Sequence, residues 1–206
     1  VRMLEEEYDK SRRRLPRHLR KVPAPETTFS FEIRPAEVRD IPDIREIYNY
    51  YVTNSVVTFD EKKWTLKVWR EKFDHLAKLK FPFLVAESPT GQILGYALVA
   101  PMSSKSGYRY SVENSIYLGQ AATGKGLGRA LLEALIAACE AAGIREMVAI
   151  ISDKGAEGSV ALHEKLGFVE VGRMGRVGFK FNRWLGTISM QKSLKAPAKR
   201  GLFRRA

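Results

Sequence analysis

The residues best suited to chemistry in this chain are three closely spaced glycines, Gly124, Gly126 and Gly128. They lie in the run Gln120-Ala-Ala-Thr-Gly-Lys-Gly-Leu-Gly-Arg129. An alternating stretch, 111–118, precedes the run and predicts a strand; a long amphipathic stretch follows it and predicts a helix. A glycine-rich turn from strand to helix exposes backbone N–H groups at the positive end of a helix dipole. That is an anion site, most often a phosphate site. A purely structural turn needs one glycine, and each further one lowers helix propensity by roughly 1 kcal/mol.

Three phosphate designs compete for this run. Residues 119–125 satisfy the first seven positions of a P-loop, but the eighth, where Ser or Thr would hold Mg²⁺, is Gly126. A dinucleotide fingerprint needs its third glycine elsewhere, and an acid at the end of the next strand, whereas Glu146 begins that strand. The third design, Q/R-x-x-G-x-G/A, wraps its N–H groups around the pyrophosphate of coenzyme A. The core Gly124-Lys-Gly-Leu-Gly-Arg129 fits it with Gln120 shifted by one.

The elements around the loop follow from periodicity. A first strand is expected at 28–34, and a helix after Asp40 as N-cap, with Ile41, Ile44, Ile47, Tyr48 and Tyr51 on one face. A second helix at 65–80 carries Trp69, Phe73 and Leu76. Strands at 83–87 and 93–99 flank a turn, and strand 111–118 follows. Helix 125–142, strand 147–151, a short helix 158–166 and strands near 168–180 and 186–194 complete the order β-α-α-β-β-β-α-β-α-β-β. This pattern predicts an α/β (α+β) fold, a central mixed sheet flanked by helices, with one βαβ unit through helix 125–142.

Length and charge narrow the class. With 206 residues the chain holds one good core, and no run of 18 apolar residues predicts a membrane helix. The lone cysteine, Cys139, forbids an internal disulfide and suits a reducing cytoplasm; its helical, apolar setting favours packing over nucleophilic chemistry. The net charge of +12 is concentrated in the ends: 1–22 holds eight Lys/Arg against four Asp/Glu, and 192–206 holds six Lys/Arg and no acid. The folded middle is close to neutral. A basic extension and linker are expected at 1–26, the domain at 27–194 and a basic tail at 195–206. The triple Glu5–Glu7 argues against an acid-poor transit peptide. Basic tails attract nucleic acid, but few aromatic residues accompany these charges (Tyr8, Phe203), so RNA contact is not favoured over solvated tails.

The order of elements and the 120–129 loop resemble the GNAT acyltransferase superfamily, and within it the phosphinothricin and methionine sulfoximine N-acetyltransferases. The resemblance rests on Ile33-Arg-Pro-Ala36, Ile47-Tyr-Asn-Tyr-Tyr-Val52, Pro82-Phe-Leu-Val-Ala-Glu87 and Gly95-Tyr-Ala97. It continues through Tyr108-Arg-Tyr-Ser-Val-Glu-Asn-Ser-Ile-Tyr-Leu118, Ser159-Val-Ala-Leu-His-Glu-Lys-Leu-Gly-Phe168 and Gly178-Phe-Lys-Phe-Asn-Arg-Trp184. It implies a GNAT-like, mostly antiparallel twisted sheet, acetyl-CoA as co-substrate, no metal, a small-molecule amine acceptor and a homodimer. It also implies that backbone groups of Ile116, Tyr117 and Leu118 pair with the pantetheine arm, that N–H groups of Gly124, Lys125, Gly126, Leu127, Gly128 and Arg129 take the pyrophosphate, and that Ser159 touches the cofactor.

An amine attacks a thioester only as the free base, so a carboxylate must accept its proton, directly or through water. Glu113, in the middle of an apolar alternating strand, is the candidate base; the alternative is a structural carboxylate paired with a neighbour such as Arg109. The Leu118 N–H is the candidate oxyanion donor. His163 is an acid, an acceptor contact or a packed histidine. Acceptor selection falls on Ser106, Gly107, Tyr108 and Arg109 with Lys180 and Trp184, since a carboxylate-bearing acceptor wants Arg or Lys. Trp184 either walls the pocket or packs at a dimer seam. One departure from the family concerns 152–158, where Ala156 stands near the position of a cofactor-touching Asn. Two further readings stay open: a protein or peptide N-acetyltransferase, and a non-enzymatic binder of RNA or ribosomes.

Overall fold

Strand parity decides which helix each sheet face meets. The structure, a computed structural model, describes residues 29–195. The extension expected at 1–26, and the tail beyond Lys195, lie outside the described residues. The elements are β1 (Glu32–Pro35), α1 (Ile41–Asn54), α2 (Leu66–Lys78), β2 (Phe83–Glu87), β3 (Ile93–Pro101), β4 (Ser111–Leu118), α3 (Leu127–Ala141), β5 (Glu146–Ser152), α4 (Glu157–Lys165), β6 (Val169–Lys180) and β7 (Arg183–Ser193). The order matches the reading from periodicity. β1 begins at Glu32 rather than at 28, and Asp40 makes no side-chain cap to α1. Its carboxylate instead accepts two bonds from the Arg34 guanidinium, at 2.7 and 2.8 Å, and one from the Glu37 N–H.

The sheet runs β1-β2-β3-β4-β5-β7-β6. Every neighbouring pair is antiparallel except β4–β5. On β2, Phe83 and Val85 face α1 and α2, while Leu84 and Ala86 face α3. β3 repeats this with Tyr96 and Leu98 against Ala97 and Val99. Leu127, Leu131, Leu132, Leu135 and Cys139 of α3 are buried in the second layer. Burial there pushes the Cys139 thiol up to about 12, so it stays protonated and inert, as its packing suggests.

The parallel pair is short. β4 meets β5 only from Ser111 to Glu113, opposite Glu146 to Val148. Beyond that β5 stays with β7 as far as Ser152, opposite Thr187, and β4 keeps β3 as its partner. The second half of β4 therefore borders an open splay in the middle of the sheet.

Candidate active site

The ladder parity of β4 fixes which backbone groups face the splay. Gly119 N–H donates to Leu94 O at 2.8 Å, and Met102 N–H donates to Ser111 O at 3.3 Å. With the register Gly95↔Leu118, these bonds assign the odd residues of β4 to the β3 side. The N–H and C=O of Ile116 and Leu118 then point to the β5 side, past the last paired residue of β5, where no strand accompanies them. The Leu118 carbonyl takes the Tyr51 hydroxyl at 2.7 Å, leaving its N–H free of a strand partner. Ile116 and Leu118 thus fit the expected role. Tyr117 does not: its backbone is paired with Tyr96 of β3, and only its side chain reaches a pocket, on the α1/α2 face.

The glycine run sits at the mouth of this splay. Gly124 and Gly126 have φ of +73° and +82°, a region that costs other residues strain, and a Cβ at either would meet nothing within 4 Å. Gly126 is the N-cap of α3, and the first bond into the helix is Ala130 N–H to Gly126 O at 3.2 Å. The N–H groups of Leu127, Gly128 and Arg129 come before it and have no intrahelical acceptor. The two basic side chains turn elsewhere: the Lys125 ammonium lies 4.8 Å from the centre of the Phe29 ring, and Arg129 pairs with Glu133 at 2.8 Å. Leu127 is core, and a Cβ added at Gly128 would lie 3.4 Å from the Leu118 side chain, so α3 packs closely on the end of β4. The cradle is made of backbone and open space, which fits a pyrophosphate.

Glu113 is half-buried on the α1/α2 face, on the same side of β4 as Tyr117. Burial raises its carboxyl above the usual range, and the nearby Lys72 ammonium opposes that rise. No hydrogen bond or ion pair ties it to another described residue. In particular it is not paired with Arg109, whose guanidinium stacks 4.7 Å over Tyr110 and donates to Ser106 O at 3.3 Å. Beside it lies an aromatic wall: Tyr48 meets Trp64, Trp69 and Tyr117 edge-on, with centroids 5.1, 5.5 and 5.2 Å away. The Tyr48 hydroxyl donates to Asp60 at 2.5 Å and lies 3.1 Å from the Thr58 hydroxyl.

Two expected side chains are out of a ligand's reach. His163 is 1% exposed. The Ser159 carbonyl can only accept, so Nδ1 carries the proton toward it at 2.8 Å, and Nε2 is left to accept from Asn114 Nδ2–H at 3.0 Å. Burial lowers the ring's pKa, and the Ser159 bond opposes that. With both nitrogens committed, the packed-histidine reading replaces the acid. Lys180 is likewise 1% exposed and donates to Thr58 O at 2.8 Å, so it braces the 56–60 loop instead of receiving an acceptor. Gly178 supports the same brace, since a Cβ there would enter the Phe59 ring.

The remaining expected contacts are open to solvent. Ser106–Tyr108 form an exposed 3₁₀ turn. Trp184 is 47% exposed, edge-on to Phe179 and under Arg176. Ser159 lies half-buried in α4, and its N–H is taken by Ala156 O at 2.9 Å. In the departing loop, Ala156 starts α4 without a side-chain cap, and Asp153 ties the loop to β7 by accepting from Gly186 N–H at 2.8 Å.

Lys72 was missed by the reading of the sequence. It falls at i+3 from Trp69, on the apolar stripe with Phe73 and Leu76. A charge on a buried stripe is the signal that would have found it. Among the described residues, no group of three His, Cys, Asp or Glu side chains is arranged to hold a metal ion.

A splayed mixed sheet, a backbone phosphate cradle at its mouth and a carboxylate in the adjoining pocket together define a coenzyme-dependent group transferase. Residues 33–188 match the acetyltransferase (GNAT) domain. The chain is 41% identical over 166 residues to the L-methionine sulfoximine/L-methionine sulfone acetyltransferase of Pseudomonas paraeruginosa, covering 81% of this chain and 96% of that one. It superposes with TM-score 0.76, at 39% identity, on a phosphinothricin acetyltransferase from Sinorhizobium meliloti in complex with acetyl-CoA, covering 80% of this chain and 88% of that one. A ribosomal-protein-alanine N-acetyltransferase from Brucella melitensis also superposes with TM-score 0.76, at 37% identity, covering 79% and 99%. The chain belongs to the GNAT acetyltransferase family, and it is an acetyl-CoA-dependent N-acetyltransferase.

Proposed function

We propose that the chain moves an acetyl group from acetyl-CoA to the α-amine of a small amino acid or analogue, of the phosphinothricin, methionine sulfoximine or methionine sulfone type, by direct attack in a ternary complex. The observation that carries this reading is Glu113: a half-buried carboxylate with no ion-pair or hydrogen-bond partner among the described residues, beside the aromatic wall, on the strand whose free backbone groups face the splay. The names of the similar proteins supply the acceptor class. Glu113 accepts the ammonium proton, directly or through water, and its raised pKa makes it a better base than an ordinary carboxylate near neutral pH. Ile116 and Leu118 offer backbone groups to the pantetheine arm, N–H groups of 124–129 take the pyrophosphate, Ser159 touches the cofactor, and the Leu118 N–H stabilises the oxyanion. Ser106, Gly107, Tyr108, Arg109 and Trp184 form the outer rim of the acceptor site. The buried Cys139 leaves no candidate for a covalent acyl-enzyme.

An acceptor screen read by thiol release tests this. The reading requires turnover of free amino acids or their analogues and its collapse in Glu113→Gln; full activity in that variant sinks the role of Glu113. A second reading, acetylation of protein or peptide N-termini, is favoured by the likeness to the ribosomal-protein-alanine enzyme and by the exposed rim at Tyr108, Tyr110 and Trp184. Peptide acceptors in the same screen separate the two.

Residues 27–194 form the catalytic unit in this proposal, with the basic ends outside it. The proposed assembly is a homodimer through edge strand β6, which exposes Val169, Val171, Val177 and Phe179; sedimentation measures it. The proposed compartment is the cytoplasm; no helix among the described residues is long and apolar enough to cross a membrane.

A further inference from the structure

The geometry points to Lys72 as the anchor for a carboxylate on the acceptor, so that Lys72 and Glu113 together select an acceptor carrying both an amine and a carboxylate. This rests on the free amino-acid reading and adds to it the residue that sets the acceptor class.

Three observations support it. First, the Lys72 ammonium lies 5.1 Å from the Trp64 ring centre and 5.8 Å from that of Trp69, so its stem is held against the wall of the Glu113 pocket. Second, among the described residues no carboxylate lies within ion-pair distance of it and none makes a hydrogen bond to it. Asp60, the other acid that senses it, already accepts the Tyr48 hydroxyl. Third, the alternatives near the cleft are committed: Lys180 to Thr58 O, and Arg109 to Tyr110 and Ser106 O. Lys72 and Glu113 are thus one cation and one anion, both half-buried and both lacking a protein partner among the described residues. A pair that existed for stability would be closed. An open pair of partly exposed charges beside aromatic walls matches the charge separation of an α-amino acid. Burial lowers the ammonium's pKa, and the nearby Glu113 and Asp60 carboxylates oppose that fall.

The test compares L-methionine sulfone with its decarboxylated amine on the wild-type chain, Lys72→Met and Lys72→Arg, each at a pH on the plateau of its own profile. Losing one charge-assisted contact should cut kcat/KM for the amino acid roughly 10- to 100-fold in Lys72→Met, leave the decarboxylated amine nearly unchanged, and be partly restored in Lys72→Arg. Parallel loss on both substrates, or no loss on either, overturns the assignment. A binding titration without acetyl-CoA, read by tryptophan fluorescence, keeps it testable if turnover is slow: wild type should bind the amino acid more tightly than the amine, and Lys72→Met should not discriminate. Equal binding of the two by wild type, or binding of neither, overturns it. Turnover confined to peptides would instead sink the free amino-acid reading, and the fluorescence arm would still judge Lys72.

Discussion

The Tyr51 hydroxyl donates to the Leu118 carbonyl at 2.7 Å, tying α1 to the last residue of β4. That carbonyl faces the splay, where no strand pairs with it, so the tyrosine satisfies the acceptor and leaves the N–H of the same residue for a ligand. Burial raises the tyrosine's pKa, so the hydroxyl remains a donor. Tyr51→Phe should cost about 1 kcal/mol, seen as a fall in Tm of roughly 2–4 °C for a chain of this size. It should also raise KM for acetyl-CoA, because the end of β4 loses its tether. A variant unchanged in both melt and KM would mean that the bond does not hold the strand.

The acid limb of kcat/KM should report Glu113. As the base it must be ionised, so activity falls as pH drops through its pKa. Burial moves that pKa above the ordinary carboxylate value of 4.5, and Lys72 holds it back. Lys72→Met removes the restraint and should move the acid limb to higher pH; Lys72→Arg should leave it near the wild-type position. A pH–rate series on a decarboxylated acceptor, which lacks a carboxylate to anchor, isolates this effect. A limb that moves to lower pH, or stays fixed, would contradict the coupling.

His163 should appear in stability and not as a proton donor. Its folded pKa lies below the ordinary 6.5, first because of burial, with the Ser159 bond in partial opposition. The unfolded chain then binds the extra proton first, and stability contributed by the neutral ring is lost as pH falls below about 6.5 toward the folded value. His163→Gln should lower stability at pH 7 and flatten the stability–pH slope in that window, checked by denaturant melts from pH 5 to 8. Turnover should change only modestly, through Asn114. A general acid would instead cost about 10²–10⁴-fold.

How much the sequence reveals depends on whether local pattern or tertiary placement decides a residue. Alternation at 111–118 and the 3.6 period expected over 125–142 are local; β4 stands at Ser111–Leu118, and α3 at Leu127–Ala141, its start delayed by the left-handed Gly126. Glu113 is legible for the same reason: a carboxylate in the middle of an alternating strand that carries Val112, Ile116 and Leu118. The strand order is not, because nothing local says that β7 inserts between β5 and β6. Lys180 and His163 misled because both residue types serve chemistry and packing equally well, and only their depth, 1% exposed in each case, separates the two. Lys72 is the reverse case. Its helix carries charges at Lys67, Arg70, Glu71, Asp74 and Lys78, and among these a lysine beside Trp69 and Phe73 draws no notice until the stripe is shown to face a pocket.

Gly126→Ala and Gly143→Ala form a matched pair that isolates the phosphate cradle. Both glycines sit at an end of α3, both have positive φ (+82° and +81°), and a Cβ at either meets nothing within 4 Å. Each substitution should therefore cost a similar backbone strain of about 1–2 kcal/mol. Only position 126 adjoins the unpaired N–H groups of 127–129, at the N-terminus of α3. Gly126→Ala should raise KM for acetyl-CoA by about tenfold or more, the loss of roughly one charge-assisted contact, with kcat for a saturating donor nearly kept. Gly143→Ala should match it in thermal destabilisation and leave that KM alone. If the two variants shift KM equally, the change reflects a loosened α3, and the glycine run reverts to a helix start. If they part as expected, backbone N–H groups and not the side chains of Lys125 or Arg129 hold the donor. Lys125→Ala and Arg129→Ala should then cost less in KM than the single methyl group added at 126.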